Sequence, residues 1–287
     1  MTHQRERADA ALRRLAGGLV ASCQAREDNP LHGPLFMAAM AQAAIRGGAV
    51  GIRADGEDDI AAIRSALGST VPIMGIRKVK QPDGSLFITP AAESARAVIA
   101  AGAELVALDG TPRRRPGGDS LRDVVAAIHA AGGAALADVD TPEHARYAID
   151  CGVDAVGTTL SGYTPDSPKQ DGPDFALLEC LVSLSTVPVF AEGRIWTPEA
   201  ARRALEIGAL FVVVGTAITN PMAITARFVA ALEPPSPPAA TAPRGFPVPG
   251  PSEGEGRPPE PGAKDIETTS DVDTIPPLPR KGEGVRG

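Results

Sequence analysis

Between Gly18 and Leu232, a short apolar run followed by an Ala-rich segment of helical period recurs eight times. The apolar runs are Gly18–Ser22, Ala49–Ile52, Val71–Ile76, Leu105–Leu108, Ala134–Asp138, Ala155–Thr158, Val187–Ala191 and Phe211–Gly215, and they read as strands. The segments near 34–46, 57–67, 91–101, 120–131, 142–150, 174–184, 198–207 and 221–232 read as helices. Strands that are apolar nearly throughout are buried on both faces, which implies a parallel sheet covered by helices. Eight such units favour an α/β chain closed into a (β/α)8 TIM barrel, with an open doubly wound sheet as the alternative. No Gly-x-Gly-x-x-Gly follows the first strand, which weakens a dinucleotide-binding reading.

The punctuation agrees with that count. Most helices end in glycine followed at once by a strand, as at Gly47-Gly48-Ala49, Gly102-Ala103, Gly132-Gly133-Ala134, Gly152-Val153 and Gly208-Ala209. Three helices are expected to open on Thr-Pro, at Thr89-Pro90, Thr141-Pro142 and Thr197-Pro198, with threonine as the cap and proline in the first turn. The pattern stops near Glu233. Residues 234–287 hold 14 of the 28 prolines and almost no aliphatic runs, too little apolar surface to offset the entropy of ordering. The expected organisation is a catalytic barrel over 1–233 and a disordered Pro-rich tail over 234–287. Pro276-Pro277-Leu278-Pro279-Arg280 has the residue types of an SH3 ligand, but a plain appendage is the simpler reading.

Net charge is −7, so general affinity for nucleic acid is not expected. The one basic run, Arg113-Arg114-Arg115, suits a solvated loop or a small anion site. Cys23, Cys151 and Cys180 are odd in number and widely spaced, which gives neither a disulfide framework nor a zinc site and points to a reducing compartment. Met1 to Leu15 lacks the apolar core of a signal peptide, and no segment has the length to cross a bilayer. The expected location is the cytoplasm, with no membrane partner.

Barrel chemistry sits at the C-terminal ends of the strands. There the sequence places Ser22-Cys23-Gln24, Arg53, Arg77-Lys78, Asp109, Asp138, Thr158-Thr159, Glu192-Gly193-Arg194 and Gly215-Thr216. Charges at most strand ends are costly unless paired or bound to a charged ligand, which favours an active site over arbitrary loop polarity. Gly193, Arg194, Gly215 and Thr216 follow strands seven and eight, where barrels often cradle phosphate on backbone N–H groups. The four histidines, His3, His32, His129 and His144, are scattered without ligand spacing, so no metal is expected. Cys23 has no histidine placed to activate it and reads as a packing residue.

Several strings resemble the N-acetylmannosamine-6-phosphate 2-epimerase family. They are Gly17-Gly18-Leu19-Val20-Ala21-Ser22-Cys23-Gln24, Pro30-Leu31-His32-Gly33, and Gly47-Gly48-Ala49-Val50-Gly51-Ile52-Arg53-Ala54. Phe87-Ile88-Thr89-Pro90, Ala107-Leu108-Asp109 and Val156-Gly157-Thr158-Thr159-Leu160-Ser161-Gly162-Tyr163-Thr164 follow, then Ala191-Glu192-Gly193-Arg194-Ile195 and Val213-Val214-Gly215. The resemblance runs in order over about residues 10–232, and the Gly-Thr-Thr-Leu-Ser-Gly-Tyr-Thr string is highly specific. The tail has no counterpart.

The resemblance implies interconversion of N-acetylmannosamine 6-phosphate and N-acetylglucosamine 6-phosphate in bacterial amino-sugar or sialic-acid breakdown, without a cofactor. The small phosphosugar is the expected partner, and a homodimer is compatible with the sequence. The family's proton-transfer pair matches Lys78 and Glu192, and its sugar-holding positions match Gln24, Arg53 and Asp138. Thr158 and Asn220 are placed with them as substrate-binding residues. Asn220 departs from the arginine usual at its position, leaving Arg194 and Arg227 as the cations that could compensate. A lysine acts as a base only where burial or nearby cations depress its pKa, and Arg53 and Arg77 are the candidate cations. Two alternatives stay open: an aldolase-type barrel forming a Schiff base on Lys78, and a non-catalytic phosphosugar-binding protein.

Overall fold

The computed structural model describes residues 3–232, and the expected tail lies outside them. In chain order come α1 (His3–Arg14), β1 (Leu19–Cys23), α2 (Pro34–Arg46), β2 (Gly51–Asp55), α3 (Glu57–Leu67) and β3 (Ile73–Ile76). A hairpin of β4 (Lys78–Lys80) and β5 (Leu86–Ile88) follows, then α4 (Ala92–Ala100), β6 (Leu105–Asp109), α5 (Leu121–Ala130), β7 (Ala134–Asp138) and α6 (Pro142–Asp150). The last third holds β8 (Ala155–Gly157), a 3-10 turn (Thr158–Leu160), α7 (Phe175–Leu184), β9 (Val189–Glu192), α8 (Pro198–Ile207), β10 (Val212–Val214), α9 (Thr216–Thr219) and α10 (Pro221–Leu232). Eight strands, all but the β4–β5 pair, close into a parallel barrel in the order β1-β10-β9-β8-β7-β6-β3-β2. The closed barrel, not the open sheet, is therefore the architecture. Among the described residues no helix is long and apolar enough to cross a membrane.

Two apolar layers follow from strands buried on both faces. Alternate strand residues such as Ala21, Ile52, Val106 and Val156 pack outward against the helices. The others, including Val20, Met74, Leu105, Leu136, Phe190 and Phe211, fill the barrel interior. The rings of Phe190 and Phe211 stack there at 5.1 Å, tilted by 2°. Room for Phe190 comes from Gly157, where a Cβ would lie 2.2 Å from the ring. Gly157→Ala is expected to cost about 1–3 kcal/mol by overpacking. Urea unfolding checks this, and an unchanged midpoint would mean that the stack shifts freely.

The first helix was not expected from sequence. Ala8, Ala11, Leu12 and Leu15 recur at the i, i+3, i+4, i+7 spacing of a helix face, a signal masked by the charges around them. All four are buried with the interior residues, so α1 and the turn after it close the N-terminal end of the barrel. Arg5 fixes the helix by donating to the Gly133 carbonyl at 2.9 Å and to Asp154, which also takes His129 Nε2 at 2.9 Å. A cavity of about 130 Å³ lined by Arg7, Arg14, Thr70 and Glu104 lies at this closed end, opposite the charged strand ends.

Two further expectations are corrected. Several strands run past their expected ends, so Arg53, Asp109 and Glu192 belong to β2, β6 and β9 and are not loop residues. Thr141 and Thr197 cap α6 and α8 by accepting from His144 N and Ala200 N, each at 3.2 Å. Thr89 caps nothing: α4 begins at Ala92, whose N–H donates to Asp119 Oδ2 at 2.8 Å.

Candidate active site

The parallel register brings the polar residues to one end of the barrel. Arg53 stands beside Ser22 on β1 and Met74 on β3, and Glu192 beside Val213 on β10. Across the barrel, Asp138 is level with Asp109 on β6 and Gly157 on β8.

Arg53 is the centre of the floor. Its side chain is 1% exposed and grips Asp138, 0% exposed, through two bonds: Nη2 to Oδ2 at 2.6 Å and Nη1 to Oδ1 at 3.1 Å. Nη1 also donates to Glu192 Oε2 at 2.5 Å. Burial alone would lower the arginine's pKa, but Asp138 and Glu192 more than reverse this and raise it, so the cation is permanent. Thr159 Oγ1 lies 2.5 Å from Asp138 Oδ1 and 3.2 Å from Glu192 Oε2, bridging the two carboxyl groups.

Glu192 is the group this arrangement perturbs most usefully. Burial raises its pKa, Arg53 opposes that, and Asp138 adds to it, leaving the carboxyl pushed up to about 7. It therefore holds or releases a proton near neutrality, as a general acid or base must. Its backbone is pinned by Thr158, whose hydroxyl donates to Glu192 O at 2.8 Å and accepts from Glu192 N at 3.2 Å.

Lys78 opens the β4–β5 hairpin just beyond β3. Its backbone N–H donates to Asp55 Oδ1 at 2.9 Å, and its Nζ donates to Gln24 Oε1. Gln24 is oriented in turn by donating Nε2 to Ser22 Oγ at 2.7 Å. The amine is reachable by solvent yet sits within the concave mouth. Enclosure by protein lowers its pKa from the ordinary lysine value; Arg53 and Arg26 add to the fall, while Asp55 and Glu192 oppose it. The expected contribution of Arg77 is replaced by Arg26, because Arg77 turns outward to pair with Glu57.

The structure gathers Gln24, Arg53, Lys78, Asp138 and Glu192 as expected, but in two tiers. Arg53 and Asp138 lie beneath, with their polar ends bonded to each other, to Glu192 and to Thr159. Lys78, Gln24 and Glu192 form the reachable tier. Thr158 is buried with its hydroxyl committed to the Glu192 backbone; the adjacent Thr159, placed at the rim by sequence but not among its substrate-binding residues, bridges the acids. The signal was the pair of adjacent hydroxyls after β8, of which only one can face the interior.

The glycine turns are also in place. Gly193 has φ 111° and Arg194, unusually for a non-glycine, φ 53°. The Arg194 side chain is engaged elsewhere, with Nε donating to Gly172 O and Nη1 to Ser161 O, both at 2.7 Å, and the guanidinium over Tyr163. Gly215 and Thr216 begin α9, which Thr219 ties to β1 through a 2.7 Å bond to Ser22 O. Asn220 caps α10 by accepting from Ala223 N at 3.1 Å, ahead of Pro221 in the first turn. Arg227, the other cation weighed for the missing arginine, stacks 4.5 Å over Trp196.

The remaining expectations resolve locally. Cys23 is buried, and its thiol is pushed up to about 12 by that burial and by Asp59, as an inert packing residue requires. His32 is exposed and bonds Ala25 O through Nδ1 at 3.0 Å. Asp140, His144 and Asp166 place three donor atoms within 4.8 Å of one another, a juxtaposition that linear spacing did not reveal. Both Asp140 oxygens are already bonded, one to His144 Nδ1 at 2.5 Å and the other to Thr164, so this carboxylate staples the loop after β8. The basic run divides: Arg113 pairs with Asp109, Arg115 is buried against backbone carbonyls, and Arg114 is exposed.

Comparison with known proteins converges on one family. The family model described as "Putative N-acetylmannosamine-6-phosphate epimerase" matches residues 37–234. A Clostridium perfringens relative bearing the 2-epimerase name is 47% identical over 212 residues, 74% of this chain and 95% of its own length. A Cutibacterium acnes relative of the same name is 46% identical over 227 residues, 78% of this chain and 97% of its own. A solved structure of the N-acetylmannosamine-6-phosphate 2-epimerase from Clostridium perfringens superposes with a TM-score of 0.74 at 45% identity, covering 77% of this chain and 96% of that one. With the strand-end residues in order and the match spanning most of the barrel, the chain belongs to the N-acetylmannosamine-6-phosphate epimerase family.

Proposed function

We propose that the chain is an isomerase that interconverts N-acetylmannosamine 6-phosphate and N-acetylglucosamine 6-phosphate by removing and returning the proton at C2, in amino-sugar and sialic-acid breakdown. The observation that carries this is the placing of two oppositely perturbed groups, Lys78 and Glu192, in one barrel mouth. Inversion at C2 requires a proton to leave next to a carbonyl and to return on the other face. The sugar ring masks that carbonyl, so the ring must open first or at the same time. A lysine with a lowered pKa can take the C2 proton, and a buried carboxylic acid can protonate the ring oxygen or return a proton. In the reverse direction the two exchange roles. Arg53 and Asp138 hold Glu192 in place and poise its charge, while Gln24 orients the Lys78 amine.

The phosphate belongs on the turns after β9 and β10, where backbone N–H groups of Gly193, Arg194, Gly215 and Thr216 supply directed donors. This reading gives Arg194 a backbone role, since its guanidinium is taken by the loop carbonyls. Asn220, capping α10, offers its amide NH2 near the same turns.

The test is NMR of N-acetylmannosamine 6-phosphate in heavy water. Deuterium should enter C2 as the second sugar phosphate forms, and no incorporation with either phosphosugar would overturn the proposal. Borohydride added with substrate should leave Lys78 unmodified, because the mechanism uses it as a base and not as a Schiff-base nucleophile.

The pair also sets a pH profile. Turnover needs a neutral Lys78 and a protonated Glu192, so the two groups together must carry one proton. kcat should trace a bell with one limb near 7 and an alkaline limb below the ordinary lysine value. In Glu192→Gln the limb near 7 should vanish, leaving residual activity that rises with pH through the lysine titration. A profile unaltered by that substitution would remove Glu192 from the reaction.

A further inference from the structure

Unlike Arg53, Asp138 and Glu192, Lys78 does not sit on a barrel strand. It starts a two-stranded ribbon in which Lys78 pairs with Ile88 and Val79 with Phe87. A lone hairpin is marginally stable in water, so something must hold this one to the barrel if its first residue is to present an amine reproducibly.

Thr89 is the weld. It is fully buried and adopts φ 44°, in the left-handed region where a β-branched residue is a genuine outlier. Three hydrogen bonds keep it there. Thr89 N donates to Arg77 O at 2.7 Å, and Arg77 N donates to Thr89 Oγ1 at 3.1 Å, closing the ribbon one residue before Lys78. The hydroxyl then donates to Ala107 O on β6 at 2.7 Å, fixing the closed ribbon to the barrel wall. A second hold comes from the end of β6, where Arg113, paired with Asp109, lies 4.4 Å over the Phe87 ring and donates to Leu86 O at 3.3 Å.

We propose that Thr89, backed by Arg113, is a positioning residue that sets where the Lys78 amine stands in the barrel mouth. The proposal rests on Lys78 being the base of the epimerase reading. A strained residue that neither caps a helix nor reaches the mouth, yet is over-determined by bonds beside the base, is placed to orient that base.

The experiment measures kcat, KM and the pH dependence of kcat for C2 exchange of N-acetylmannosamine 6-phosphate by the full chain, with melting temperatures alongside. It compares the wild type with Thr89→Val, Thr89→Ser, Arg113→Gln and Lys78→Ala. Thr89→Val keeps the shape and loses the hydroxyl; it should lower kcat about a hundredfold, the scale of a misplacement near 1 Å, with KM nearly unchanged. Its alkaline limb should move to higher pH as the amine drifts toward solvent. Thr89→Ser keeps the hydroxyl and should restore both kcat and the limb. Should Thr89→Val not fold, Arg113→Gln decides, with a smaller fall in kcat and the same direction of limb shift expected. A lower melting temperature with unchanged kcat and limb in the folded variants would overturn the positioning role. Loss of exchange in Lys78→Ala beside full activity in Thr89→Val and Arg113→Gln would overturn the positioning role alone. Retained exchange in Lys78→Ala would instead overturn the reading of Lys78 as base.

Discussion

Lys78→Ala is expected to abolish nearly all C2 exchange, with kcat falling roughly 10²–10⁴-fold, the usual worth of a positioned acid or base. The reason lies in where the amine stands. It touches Gln24 Oε1, shares the mouth with Glu192, and has its pKa lowered by enclosure and by Arg53 and Arg26. Among the described residues no other lysine has these neighbours: Lys80 sits two residues further along the hairpin. Glu192→Gln should fall by a comparable factor, because the amide keeps the shape but has no proton to transfer. The double variant should lose little beyond the worse single variant, since two groups serving one proton relay act as a unit. KM should change much less than kcat, because the proposed phosphate site lies on other turns, after β9 and β10. Heavy-water NMR reads all of this in one assay. Exchange within about tenfold of the wild type in Lys78→Ala would show that some other group takes the C2 proton.

Much of this site was legible from sequence because a barrel converts order into place. Each strand delivers its last residues to one rim, so Arg53, Asp138 and Glu192 could be assigned to a common site once the strands were counted. The pairing among them could not be read in this way. Arg53, Asp138 and Glu192 are distant in sequence and meet only through barrel closure, which joins them in one hydrogen-bonded network. Thr158 and Thr159 illustrate a finer limit: adjacent hydroxyls face different ways, and the turn after β8 decides which one reaches the carboxyl groups. Thr89 misled for a related reason. Thr-Pro before a helix is good capping chemistry, but here the ribbon bonds won the hydroxyl first. Asn220 was read by its family position as a substrate ligand, although Asn-Pro ahead of an apolar helical run is itself a capping signal. The helix α1 was hidden by charge, its apolar face being only two alanines and two leucines, the last in the turn after it.

The largest effect on stability should come from Asp138→Ala. Arg53 is wholly enclosed and permanently charged, and Asp138 supplies two of its hydrogen bonds. Removing one partner of a buried ion pair typically costs about 3–5 kcal/mol, because the other charge is left without compensation. The lower end applies here, since Glu192 remains bonded to Arg53 and can ionise to take over part of the neutralisation. A loss of about 3 kcal/mol corresponds to a melting temperature lower by about 6–12 °C for a domain of this size. The same substitution should change the chemistry in a definite direction. Burial raises the Glu192 pKa, Arg53 lowers it, and Asp138 raises it, so without Asp138 it falls below about 7. The limb of the kcat profile near 7 then moves to lower pH, and at neutrality less enzyme carries the proton on Glu192. Stability follows the same linkage. A carboxyl whose folded pKa lies above its unfolded value contributes stability that is present at low pH and lost as pH rises through the folded value. In the wild type that loss falls between the unfolded value of 4.5 and about 7. In Asp138→Ala the window should narrow from its upper side. Asp138→Asn provides the control: it keeps the volume and an oxygen for Thr159, so it should shift the limb in the same direction with a smaller loss of stability. An Asp138→Ala variant with the wild-type melting temperature and an unmoved limb would mean that Arg53 and Glu192 do not depend on this carboxylate, and the buried trio would not be the device that poises the acid.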